Sequence, residues 1–78
     1  MKPRPQTKVV YDMTIIAEDG GEIKKSFTVS YDSEIYDDDK ESTDLIFINM
    51  RMADLKEIYG NNILLLTFDI SREEHKLH

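Results

Sequence analysis

From Lys8 to Glu18 the odd positions Val9, Tyr11, Met13, Ile15 and Ala17 are apolar, while Lys8, Asp12, Thr14 and Glu18 hold even ones. Alternation with a period of two is the mark of a strand that lays one face on a core. Val10 and Ile16 interrupt it. The pattern returns from Glu22 to Asp32, where Ile23, Phe27, Val29 and Tyr31 are odd and Glu22, Lys24, Ser26, Thr28 and Ser30 are even. Asp19-Gly20-Gly21 between the two runs reads as a three-residue hairpin loop with Gly20 or Gly21 at positive φ. A loop of that length keeps both apolar faces on one side. It predicts the pairs Ala17 with Ile23, Met13 with Phe27, Tyr11 with Val29 and Val9 with Tyr31.

The stretch from Leu45 to Gly60 supports two readings. As one helix, Ser42 to Asp44 would cap it, Leu45, Ile48, Met52, Leu55 and Tyr59 would form its buried stripe, and Gly60-Asn61 would end it. Ile46, Phe47 and Met50 then lie off the stripe. As a short buried strand over Leu45 to Asn49 followed by a helix over Met52 to Tyr59, the β-branched and aromatic residues fall in the strand and the straight-chain helix formers in the helix. The second reading is the expectation. From Asn62 to Ser71, Leu64, Leu66, Phe68 and Ile70 share one face and Ile63 and Leu65 the other, so a central strand buried on both sides near its beginning is expected.

Together these elements predict a single small α+β domain over residues 1–78: a small antiparallel sheet (N-terminal β-hairpin, short strand, C-terminal central strand) with one short helix on one face. Residues 1–7 and 72–78 are expected to be flexible. At 78 residues, one core supplies only a few kcal/mol of net stability.

Composition narrows the class of function. The chain has no cysteine, which removes disulfides and thiolate metal sites and suits a reducing, cytoplasmic setting. Its longest apolar run, Ile63 to Leu66 with Phe68, is too short to cross a bilayer, so no membrane role is expected. Net charge is −6, and such a balance argues against direct nucleic-acid binding and for solubility or a basic partner.

That charge is concentrated. Residues 32–44 carry Asp32, Glu34, Asp37, Asp38, Asp39, Glu41 and Asp44 against Lys40 alone, a net −6 equal to that of the whole chain. A solvated loop is the plain reading. The functional one is a docking surface in which clustered carboxylates steer a basic protein and Tyr36, beside Ile35, serves as an apolar anchor. A special form is mimicry of nucleic acid, with carboxylates imitating phosphates to occupy a nucleic-acid-binding protein, as small acidic inhibitors from phages and mobile elements do. Asp32, Glu34, Tyr36, Asp37, Asp38, Asp39, Glu41 and Asp44 are thus the expected partner-binding residues of a non-enzymatic inhibitor or regulator. The alternative is a structural or assembly module that self-associates through an exposed sheet edge, a homo-oligomer.

Other chemistries find less support. A calcium loop starting at Asp37 places Asp39 and Glu41 correctly but has Ser42 where glycine belongs and Ile48 where glutamate belongs. The only histidines, His75 and His78, stand at the end of the chain beside Glu73 and Glu74 and read as tail rather than metal ligands. With no histidine in the body of the domain and no cysteine, the usual general base and nucleophiles are missing. No catalytic residue, metal or cofactor is expected.

Overall fold

The computed structural model describes residues 4–75. The chain runs β1 (Gln6–Ile16), β2 (Glu22–Asp32), α1 (Ser33–Asp38), α2 (Lys40–Tyr59) and β3 (Leu64–His75). The strands form one antiparallel sheet in the order β2-β1-β3, and the helices lie on one of its faces. The fold is therefore α+β, drawn out to 51 × 18 × 16 Å. Among the described residues no helix is long and apolar enough to cross a membrane.

The hairpin forms with its apolar faces aligned, but its register lies two residues from the expected one: Val9 pairs with Val29, Tyr11 with Phe27 and Ile15 with Ile23. The loop is Glu18-Asp19-Gly20, closed by hydrogen bonds from Gly20 N to Ala17 O at 2.9 Å and from Ala17 N to Gly21 O at 2.8 Å. Such a loop wants positive φ at its third residue, which here is Gly20 at +89°. The Asp19 carboxylate then accepts from Gly21 N at 2.8 Å and locks the turn.

The central strand is β1, not β3. Its two interruptions of the alternation are the reason: Val10 and Ile16 are half-buried on the face away from the helices, while Val9, Tyr11, Met13 and Ile15 are fully buried beneath them. β3 is an edge strand, and a bulge opposite Thr14 and Ile15 explains why its apolar run misleads. Phe68, Ile70 and Arg72 share the helix side with Met13, Tyr11 and Val9; past the bulge Leu65 takes that side opposite Ile15. Ile63 is buried, but Leu64, Leu66 and Phe68 are exposed. The ends expected to be flexible are also partly in the sheet, with Gln6 pairing to His75 and Val9 to Arg72.

Residues 40–59 form one helix, so the short strand expected over 45–49 does not exist. Asp44, Ile48 and Leu55 are buried, with Phe47, Met52 and Tyr59 packed beside them. The stripe is rotated from the expected one: Asp44 lies where Leu45 was placed, and Leu45, Ile46 and Met50 are left exposed. Apolar residues on both sides of the helix had made half of it resemble a strand. The Phe47 ring stacks on Tyr11 at 4.3 Å and meets Phe27 edge-on at 6.1 Å. Gly60 ends the helix at φ +106° and ψ 161°, a region reserved for glycine, and its N–H returns to Lys56 O at 2.9 Å.

Candidate functional site

The acidic stretch is not a loop. Asp32 caps α1, its carboxylate accepting from Glu34 N at 3.1 Å and Ile35 N at 3.4 Å. Arg4 reaches across from the N-terminal segment to Asp32 at 3.0 Å and Glu34 at 2.6 Å. Those two carboxylates, the Glu34 hydrogen bond first, raise the Arg4 guanidinium above its ordinary range. Ser33 is fastened twice, its N–H to Pro5 O at 3.0 Å and its hydroxyl to the buried Thr7 hydroxyl at 2.7 Å. After one short helix the chain turns at Asp39, whose carbonyl accepts from Thr43 N and Oγ1. α2 begins immediately.

Beneath this end lies a polar network built on Asp44, which is 3% exposed. Its Oδ1 accepts from the Tyr11 hydroxyl at 2.6 Å and the Tyr36 hydroxyl at 2.8 Å, and its Oδ2 from Arg72 at 2.7 Å. Arg72 Nε also donates to the Tyr36 hydroxyl at 2.7 Å. With its proton committed to Asp44, Tyr11 accepts from Tyr31 at 3.0 Å, and the Tyr31 and Tyr36 rings stack at 4.9 Å. The buried charge is thus paired and its lone pairs are used, as burial requires. β1, β2, α1, α2 and β3 each contribute one member, so the network fastens the short helix to the sheet.

Burial first, and then the bond to Asp44, push the Tyr11 hydroxyl far above the usual tyrosine range. Burial moves Tyr36 the same way, with the Arg72 hydrogen bond opposing. Bonds to Tyr36 and then Asp44 raise Arg72. A phenol that ionises later in the fold than in the unfolded chain stabilises the fold fully below its ordinary value of 10.0, and that stability is lost as pH rises beyond it. Urea unfolding followed from neutral pH upward is therefore expected to show a midpoint that falls above pH about 10, and to fall less steeply in Tyr11→Phe. Parallel pH profiles for the two proteins would contradict this.

The structure divides the expected partner-binding residues. Glu34, Asp37, Asp38, Asp39 and Glu41 are exposed, and they share one end of the molecule with Lys40. Asp32 is half-buried and works as a cap. Asp44 and Tyr36, 3% and 1% exposed, cannot meet a partner in this fold: both are consumed by the network, and the anchor role proposed for Tyr36 is corrected accordingly. Its neighbour Ile35 is 69% exposed among the carboxylates instead. Capping by Asp32 sets this rotation of α1, turning position 36 inward and position 35 outward. Arg72 was placed in the tail, although the period of two through Phe68 and Ile70 carries directly to it. His75 lies in the β3 backbone, and His78 falls outside the described residues.

Compared with protein families, curated proteins and solved structures, the chain matches none.

Proposed function

We propose that this protein is a non-enzymatic binding module of a reducing, cytoplasmic setting that engages a basic, nucleic-acid-binding protein and thereby inhibits or regulates it. The observation that carries this reading is the exposure of Glu34, Ile35, Asp37, Asp38, Asp39 and Glu41 along α1, the turn at Asp39 and the start of α2, a segment fastened to the sheet through Ser33, Tyr36 and Asp44. Carboxylates on fixed helices lose little freedom when a partner binds, whereas the same charges on a loose loop would have to be ordered first. They supply steering and orientation. Ile35, 69% exposed, supplies an apolar contact that a partner can desolvate.

The test is capture of proteins from source lysate by the immobilised protein, at low and then high salt, with identification by mass spectrometry. A basic protein retained at low salt and released at high salt or by added DNA is expected. Neutralising Asp37, Asp38 and Asp39 to asparagine is expected to weaken it about tenfold at low ionic strength, and Ile35→Ser to weaken it without changing the salt response. Equal capture by the wild type and the asparagine variant would end the proposal.

A further inference from the structure

β3 closes one side of the sheet, and among the described residues nothing pairs with its outer edge. Natural edges are blunted by prolines, bulges and charges. Here the bulge sits at the start of the strand, and from Thr67 to Glu73 the register is regular and free of proline. That segment presents a row of backbone donors and acceptors to solvent.

Its two faces differ sharply. On the helix side Phe68 and Ile70 form one wall of a groove of about 230 Å³, with Leu45 and Ile48 of α2 as the other. Leu45 is 56% and Phe68 43% exposed, a large apolar surface for so small a domain. On the open side Asp69 stands directly opposite Asp12 in the register, and Glu73 opposite Lys8. Asp12 and Asp69 are like charges directly opposite one another; Lys24 of β2 lines the same hollow beyond Asp12, and on the β3 side Asp69 is open to a further cation. Glu41 lies at one end of the groove and joins it to the acidic helical end.

Resting on the reading that the partner is basic, we propose that the free edge of β3 over Thr67–Glu73 is a second contact for that same partner, receiving one extended segment by strand addition. Successive side chains of an added strand point to opposite faces. The segment that fits therefore alternates apolar residues, seated against Leu45, Phe68 and Ile70, with lysine or arginine facing Asp12 and Asp69. A second copy of this chain is the poorer occupant: it carries −6, and pairing β3 with itself crowds the Asp12 and Asp69 pairs of two open faces together.

The probe is a synthetic peptide of alternating valine and lysine, added to the isotopically labelled full chain and followed by amide chemical shifts and hydrogen exchange. Shifts and new protection are expected across Thr67–Glu73, with shifts at Leu45. Peptides alternating serine with lysine, or valine with glutamate, are expected to bind at least tenfold more weakly. Leu45→Ser and Asp69→Lys are each expected to reduce affinity about tenfold, with thermal unfolding unchanged in Leu45→Ser, a surface site, and no lower in Asp69→Lys, which ends the repulsion from Asp12. Shifts confined to residues 34–41, equal for both lysine peptides, would overturn the edge site and leave the acidic end standing. Protection of Thr67–Glu73 without peptide, together with a dimer in sedimentation, would overturn it in favour of a second copy. Binding at the edge that survives asparagine at positions 37, 38 and 39 supports the edge site by itself, even where capture from lysate fails.

Discussion

Replacing Asp44 with alanine is expected to remove about 3 kcal/mol of stability and leave the domain only marginally folded near room temperature. Breaking a buried ion pair by deleting one partner typically costs about 3–5 kcal/mol, and the lower end applies because Arg72 is 40% exposed and can turn to water. The Tyr11 and Tyr36 hydroxyls cannot turn to water, both rings being buried: each loses the carboxylate that takes its proton, and Tyr11 keeps only the Tyr31 hydroxyl as an acceptor. A domain of 78 residues has little stability beyond that sum. Urea unfolding followed by circular dichroism measures it. A midpoint within error of the wild type would mean that the network is incidental. Asp44→Asn is expected to be milder, since the amide oxygen still accepts one hydroxyl.

The second large effect is expected from Tyr36→Ala. The ring is buried and stacked on Tyr31, and it holds α1 to the sheet. Truncation of a buried aromatic costs about 3–5 kcal/mol, and its loss is expected to loosen α1 and weaken partner capture as well. Tyr36→Phe separates the two effects. It keeps the ring, forfeits the hydroxyl's bonds to Asp44 and Arg72 at a cost of about 1–3 kcal/mol, and is expected to leave capture unchanged at temperatures where the variant is folded. Loss of capture in a folded Tyr36→Phe would return Tyr36 to the interface.

Both residues show what could be read along the chain and what could not. Strand alternation located β1 and β2, and the glycines located the turn, because these signals are local. The interruptions at Val10 and Ile16 carried more information than they were given, for a strand with apolar residues on both faces is a central one. The bulge in β3 was hidden: one extra residue shifts the phase of Leu64 and Leu66 without altering composition. Asp44 was hidden more deeply. A carboxylate in a run of carboxylates reads as solvent-exposed, and only tertiary structure brings Arg72 and two tyrosine hydroxyls to it. The exposed part of the acidic stretch was legible because Glu34, Asp37, Asp38, Asp39 and Glu41 make no demand on the core.

The arrangement has a functional sense within the proposed role. Buried charge in the network fixes the helices, and exposed charge on the same helices meets the partner. Neutralising exposed carboxylates therefore tests binding without endangering the fold, whereas changes at Asp44 or Tyr36 test the fold first.

The most direct measurement is hydrogen exchange of the full chain with and without the captured basic protein. Slowed exchange is expected across α1 and the first turn of α2, residues 33–44, weakened by asparagine at positions 37, 38 and 39. Unchanged exchange there, with protection appearing only on the outer edge of β2 or at the 18–20 loop, would contradict the proposed role.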